Sequence, residues 1–163
     1  AERAREHPAL LRRIVEAGHG IGNHSRFHRH HFSLLGPRGF AREIGGAQDL
    51  LADLCGVRPT CFRAPAGLRN PLLDPVLHRL GLHLVSWTRR GFDTREADAQ
   101  RVLARLQRQL AGGDILLLHD GHARRTTTHQ PVLLAVLPLL LQRCTELGLR
   151  PVSLADALPP RPR

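Results

Sequence analysis

Two histidines four residues apart, His24 and His28, are the first residues whose types and spacing could do chemistry, and Ser25 directly follows the first. On a helical turn this spacing places both imidazoles on one face. Two converging neutral imidazoles form half of a zinc site, since zinc binds histidine nitrogen at about 2.0–2.1 Å in tetrahedral geometry. In a chain with 11 histidines, the alternative interpretation is a solvated polar turn.

Three further polar clusters follow predicted strands of the chain: Arg63–Gly67, Trp87–Asp93 and His119-Asp120. In folds with parallel strands, the working groups lie at the carboxyl ends of the strands. Taken singly, Arg63, Asp93 and His119 could each be a turn or strand-end residue without a function. Together with the histidine pair, these clusters at one rim are better explained by an active site than by chance.

Helices and short strands alternate between the clusters. Apolar periodicity predicts an α/β fold with a parallel sheet or barrel and right-handed crossovers. We expect one domain over residues 1–157 and a disordered tail at 158–163. The predicted helices are 7–17, 40–54, 71–80, 95–110 and 131–147; the predicted strands are 57–62, 82–87, 114–118 and 150–154, with a short extended piece before His24 and a loop at 32–39.

Composition limits the classes of partner. The formal net charge is +10 and all 24 basic residues are arginine, a balance that suits a polyanion. The arginines are scattered and aromatic residues make up only 4% of the chain, so we expect no nucleic-acid binding. No apolar run is long enough to span a bilayer. The three cysteines have neither the spacing of a metal site nor that of a disulfide framework.

Four motifs occur in a fixed order along the chain: His24-Ser25-x-x-His28, Arg63-x-Pro65-x-Gly67, Asp93 after the next strand, and Leu117-x-His119. They resemble the ordered motifs of the polysaccharide deacetylases, the NodB-homology domain of carbohydrate esterase family four. The resemblance implies a distorted, incomplete (β/α) barrel and a divalent metal, usually zinc. It also implies hydrolysis of acetyl groups on a glycan substrate such as peptidoglycan or chitin, and relatives suggest the cell envelope or secretion.

The resemblance gives each motif residue a role in that reaction. Amide hydrolysis needs a Lewis acid to polarise the carbonyl, a base to activate water and an acid to protonate the departing amine. The resemblance implies metal ligation by His24 and His28, bracing of the motif by Ser25, orientation of the catalytic base by Arg63, a groove wall from Pro65 and Gly67, tuning of His119 by Asp93, general acid catalysis by His119, and an acetyl pocket lined by Leu117.

The chain also departs from the family pattern. The first family motif, an Asp-Asp pair that supplies the catalytic base and the third metal ligand, does not occur in these residues. We expect it upstream of the first helix, on strands that this chain lacks. Arg90 stands where the family has an aspartate, Thr94 where it has a tryptophan, and Ala66 where it often has an aromatic residue. These changes predict a more open groove and put the substrate class in question.

Three alternatives remain open at the level of sequence. The first is a non-catalytic relative that binds a glycan or a metal without hydrolysis. The second is a basic domain that binds a polyanion through its arginine surface. The third keeps the enzyme and changes the acyl substrate to an O-acetyl group or a small cyclic amide.

Overall fold

A computed structural model describes residues 1–158, which divide into two compact units. The first unit contains Ala1–Ser86 together with the described residues that follow Pro151, and the second contains Trp87–Pro151. Of the predicted tail, only Leu158 is described, and residues 159–163 lie outside the described part. No helix in the described chain is long and apolar enough to cross a membrane.

The helices and strands of the described chain are numbered in sequence order. Single turns of 3-10 helix lie at Phe32–Leu34 and Pro65–Gly67. The α-helices are α1 (Glu2–Glu6), α2 (Pro8–Glu16), α3 (Pro37–Cys55), α4 (Leu73–Arg79), α5 (Ala99–Gln107), α6 (Val132–Glu146) and α7 (Leu154–Ala157); the strands are β1 (Cys61–Phe62), β2 (His83–Leu84), β3 (Arg89–Arg90) and β4 (Leu116–Leu117).

Among the described residues, each unit contains one pair of parallel strands. In the first unit β1 pairs with β2, with Cys61 opposite His83, and Asn23 adds an isolated parallel bridge to Phe62. In the second unit β3 pairs with β4. Parallel strands need a crossover between them, and each crossover contains an α-helix, α4 between β1 and β2 and α5 between β3 and β4. The chain therefore has the α/β architecture that the sequence predicts.

The core of the first unit is built around three phenylalanines. The ring centroid of Phe32 lies 5.0 Å from that of Phe40 and 5.7 Å from that of Phe62. Phe40 and Ile44 are fully buried on one face of α3, as the i, i+4 spacing requires. Gly56 then ends α3 in the left-handed region at φ 72°, where glycine carries no steric penalty. This packing fixes α3 against β1.

The core of the second unit is the contact between α5 and α6. Asp98 caps α5, because its carboxylate accepts hydrogen bonds from the backbone N–H groups of Gln100 at 2.8 Å and Arg101 at 3.3 Å. The cap starts the helix at the point where its apolar face meets α6. The buried residues of the cluster are Val102, Leu103, Leu106, Val132, Val136 and Leu140.

The five predicted helices are present, with shifted ends. Helix α3 begins at Pro37, three residues before the prediction, because proline suits the first turn of a helix. The predicted loop at 32–39 therefore ends too late, since its last three residues belong to α3. Helix α5 begins at Ala99 and not at Arg95, because Asp98 is its N-cap.

The predicted strand at 150–154 is wrong. Ser153 is instead the N-cap of α7, and its hydroxyl accepts a hydrogen bond from the N–H of Asp156 at 3.2 Å. Strand β3 falls between two predicted elements and was not expected. The other predicted strands, at 57–62, 82–87 and 114–118, are each reduced to two paired residues.

Asp114 joins the ends of β3 and β4. Its carboxylate accepts hydrogen bonds from the Thr88 hydroxyl at 2.7 Å, the Arg89 Nε at 2.7 Å and the Ala111 N–H at 2.9 Å. These contacts, with that of the Ala111 N–H the largest, lower the pKa of Asp114 from 3.8 to about 2. The charged carboxylate therefore stabilises the folded second unit.

Asp114→Asn is expected to lower the free energy of unfolding near neutral pH, because the amide keeps the side-chain size and loses the charge. A carboxyl with a depressed folded-state pKa stabilises above its ordinary value of 3.8 and loses that effect as the pH falls towards about 2. Urea unfolding at about pH 6 and about pH 2.5 should therefore show a large difference between variant and wild type only at the higher pH. Asp53→Asn, at an exposed position of α3, is the control. A difference that does not depend on pH would contradict this account.

Candidate active-site residues

The segment that carries His24 and His28 is a loop, so the predicted helical turn is wrong. Ser25 has φ 67° and His28 has φ 52°, both in the left-handed region that an α-helix does not use. The two imidazoles converge nevertheless, with ring centroids 4.8 Å apart. The loop conformation, and not helical periodicity, brings the two rings together.

A backbone contact sets the tautomer of His24. Its Nδ1 lies 2.8 Å from the carbonyl oxygen of Arg63, and since a carbonyl only accepts, Nδ1 carries the proton. The Nε2 lone pair is then free, which is the arrangement found in zinc-binding histidines. The pKa of His24 is lowered, chiefly by desolvation, although the Arg63 carbonyl opposes the shift. The neutral imidazole, the form that binds a metal, is therefore favoured.

The histidine pair fits a divalent metal as two of its ligands. Two adjacent rings, one with its tautomer fixed for Nε2 ligation, match the nitrogen donors of a zinc site. Within residues 1–158, no group of three or more His, Cys, Asp or Glu side chains is placed to hold a metal. The described residues thus bring two histidine side chains together, which is fewer than the four donors of a tetrahedral site.

The loop is attached to α3 through the amide of Asn23, whose side chain is 1% exposed. Its Nδ2 donates to the Ile44 carbonyl at 3.0 Å and to Gln48 Oε1 at 3.0 Å, and its Oδ1 accepts from the Ser25 N–H at 3.0 Å. Gln48 in turn donates from Nε2 to the Pro59 carbonyl at 2.8 Å. Two buried amides therefore tie the loop to α3 and to the segment before β1.

Two further side chains accept from the backbone of the same loop. Ser25 Oγ accepts from the His28 N–H at 3.0 Å, and Glu43 Oε2 accepts from the Phe27 N–H at 3.2 Å. Glu43 also lies 3.6 Å from Arg29. The buried polar side chains among the described residues are Asn23, Ser25, Glu43, Gln48 and Asp93. All of them except Asp93 belong to the hydrogen-bond network of this loop.

Sequence reasoning selected Ser25 and missed Asn23, Glu43 and Gln48. A signal was available for the last two, because each is a polar residue on the apolar face of α3. A buried polar side chain at a core position needs a hydrogen-bond partner. Asn23 gave no comparable signal, since a residue between Gly22 and a histidine looks like an ordinary loop residue.

Arg63 follows β1 and contacts the same loop through its backbone. Its N–H donates to the Asn23 carbonyl at 2.9 Å, and its own carbonyl oxygen accepts the hydrogen bond from His24 Nδ1–H. The Arg63 Nε is buried and has no hydrogen-bond partner among the described residues. Burial also lowers the pKa of the Arg63 guanidinium. Pro65, which is buried, and Gly67 form the 3-10 turn after it.

In the second unit, a buried carboxylate holds His119 in place. Asp93 is fully buried; its Oδ2 accepts from the His119 N–H at 2.6 Å and its Oδ1 lies 3.0 Å from His119 Nδ1. Because a carboxylate accepts, Nδ1 carries the proton, and Nε2 is left to exchange a proton with another molecule. The His119 side chain is 31% exposed, and Leu117 lies two residues before it on β4. Such an oriented imidazole can act as a general acid or base.

Residues 1–85 match the family model for "Polysaccharide deacetylase", so the chain belongs to the polysaccharide deacetylase family. It is 35% identical over 124 residues to a chitooligosaccharide deacetylase of Azorhizobium caulinodans, which covers 72% of this chain and 56% of that protein. It is 26% identical over 118 residues to the peptidoglycan-N-acetylmuramic acid deacetylase PdaC of Bacillus subtilis, covering 72% of this chain and 24% of that protein. The chain thus spans about half and about a quarter of these relatives.

Solved structures show the same fold. A family 4 carbohydrate esterase from Streptomyces lividans, in complex with acetate, is 28% identical with a TM-score of 0.81, covering 98% of this chain and 78% of that one. A CE4 family pseudoenzyme from Bacillus anthracis, BA3943, is 18% identical with a TM-score of 0.82, covering 94% and 51%. The second is a likeness of fold alone. Because the fold accommodates an enzyme and a pseudoenzyme, the activity has to be argued from the site residues.

The structure predicts that Gln48→Ala destabilises the protein. The change leaves the Asn23 amide and the Pro59 carbonyl buried without Gln48, and each unsatisfied polar group costs about 1–3 kcal/mol. Urea unfolding should show a loss in this range. The neighbouring Asp49→Ala removes an exposed ion pair with Arg58 and should cost less than about 1 kcal/mol. Equal losses in the two variants would contradict the role of the buried network.

Proposed function

We propose that the chain belongs to a metal-dependent polysaccharide deacetylase, which hydrolyses N-acetyl or O-acetyl groups on a glycan such as peptidoglycan or a chitin-like polymer. The fold would then be part of a distorted, incomplete (β/α) barrel. The observation that carries the proposal is the pair of hydrogen bonds from His119 to the buried Asp93. A buried carboxylate is costly unless it is paired and hydrogen-bonded, and Asp93 meets that requirement by fixing the His119 imidazole in one orientation.

We propose that His24 and His28 are metal ligands and that zinc is the metal. A divalent cation supplies a Lewis acid for the amide carbonyl and acidifies water. Ser25 maintains the loop by accepting from the His28 N–H. The resemblance assigns the base to an aspartate outside these residues, and we propose that Arg63 orients it, since its buried Nε has no partner among the described residues.

His119 is proposed as the general acid. Asp93 holds Nδ1–H, so the imidazole acts as an acid when Nε2 carries a second proton, and that proton is the one delivered to the departing amine. The amine leaves neutral, which removes the cost of expelling an anion. Leu117 would line the acetyl pocket, and Pro65 and Gly67 would shape the wall of the glycan groove. Relatives named for peptidoglycan deacetylation support a glycan partner and a place at the cell envelope.

His24→Ala and His28→Ala are each expected to weaken zinc binding by at least about 100-fold, because each removes a nitrogen donor. Calorimetric zinc titration measures the effect. His31→Ala is the matched control: it removes an exposed histidine three residues after His28 and should leave zinc affinity unchanged. Loss of affinity in the control as well would show that the metal binds elsewhere among the histidines.

In a protein preparation that includes the proposed base aspartate, His119→Ala is expected to lower acetate release from a chitooligosaccharide by about 10²–10⁴-fold while zinc affinity stays at the wild-type value. Acetate assay and zinc titration on the same preparation separate the two effects. Unchanged turnover in His119→Ala would remove it from the acid role. A wild-type protein that binds zinc and glycan yet releases no acetate would favour the non-catalytic alternative.

A further inference from the structure

Arg90 in the second unit has an unusual environment for a partly buried arginine. The neighbouring Arg89 and Arg105 pair with carboxylates, at 2.7 Å to Asp114 and 3.2 Å to Glu96. No described carboxylate pairs with Arg90, and its buried Nε has no hydrogen-bond partner in the described chain. Its positive charge is therefore uncompensated in the part of the protein that the structure describes.

Aromatic rings hold the Arg90 guanidinium in place. Its Cζ lies 5.6 Å from the centroid of Trp87 and 5.0 Å from that of Phe92. Phe92 itself is 43% exposed and has φ 58°, a strained conformation for a bulky side chain. Stacking on rings fixes the guanidinium without using its N–H donors or neutralising its charge. A fixed, charged fork with free donors is what binds an oxyanion tightly.

Strand register places Arg90 opposite Leu117, two residues before the proposed acid His119. Arg90 is opposite Leu117 in the pairing of β3 with β4, and the Gly91 N–H donates to the Leu117 carbonyl at 3.4 Å. Both strands run in the same direction, so the residues that follow them, Asp93 and His119, meet at the same end. A ligand that reaches His119 therefore comes close to the Arg90 strand.

We propose that Arg90 binds an oxyanion substituent on the glycan, a carboxylate or a phosphate ester, and thereby selects an acidic glycan over a neutral one. This inference rests on the proposed deacetylase function. Arg90 stands where the family pattern has an aspartate, so the charge at this position is reversed from negative to positive. The formal net charge of +10 acts in the same direction, because it attracts polyanionic substrates over a longer range.

Binding of three N-acetylglucosamine oligosaccharides of equal length, one neutral, one carboxylated and one phosphorylated, tests this inference without turnover. Calorimetry on the wild-type protein should show at least one acidic ligand binding about tenfold more tightly than the neutral one. Arg90→Gln should bring that ratio close to one, and Arg90→Lys should retain part of it. Arg150→Gln, at an exposed position in the same unit, should leave the ratio unchanged.

Each outcome bears on the inference. A wild-type ratio near one, a ratio that survives Arg90→Gln, or no binding of any ligand would overturn it. A preference for only one acidic ligand supports it and identifies the oxyanion. Acetate release is measured separately on the same ligands: an acidic preference without turnover would reject the proposed function alone, whereas turnover without preference would reject the role of Arg90 alone.

Discussion

The buried amide of Asn23 is the contact on which the histidine loop depends. An amide shielded from water must have its donors and acceptor satisfied, and the partners available are Gln48, the Ile44 carbonyl and the Ser25 N–H. Satisfying all three at once fixes the position of the loop relative to α3. The convergence of the two imidazoles therefore follows from hydrogen-bond satisfaction in the interior, together with the backbone bridge from Asn23 to Phe62, because the histidine loop itself is neither helix nor strand.

The second unit uses one buried carboxylate for a comparable purpose. The Asp93 carboxylate accepts hydrogen bonds from both the backbone N–H and the Nδ1–H of His119. A single side chain therefore sets the position and the tautomer of the proposed acid. Arg90, a few residues earlier, is held by rings and lacks such a polar partner among the described residues. The Asp93 carboxylate therefore has its hydrogen bonds satisfied within the protein, whereas Arg90 keeps an unpaired donor among the described residues.

Sequence alone predicted the family, the α/β class and the five longest helices, because periodic apolar faces and ordered motifs are local signals. It did not predict the shape of the histidine loop, since the positive φ values of Ser25 and His28 arise from contacts with residues far along the chain. It placed a strand at 150–154, where the hydroxyl of Ser153 starts a helix instead. The substitution at Arg90 was visible in the sequence, but the rings that hold it became apparent only in the structure.

The hydrogen bonds of the histidine loop also affect its dynamics. Its N–H groups at Ser25, Phe27 and His28 donate to side chains anchored in the interior or in the loop itself, and not to solvent. An irregular segment of this kind would exchange its amide hydrogens slowly, as a helix does, because opening it breaks contacts with α3. The two imidazoles would then be held close together without a ligand, so binding of the proposed metal would require little ordering of the chain.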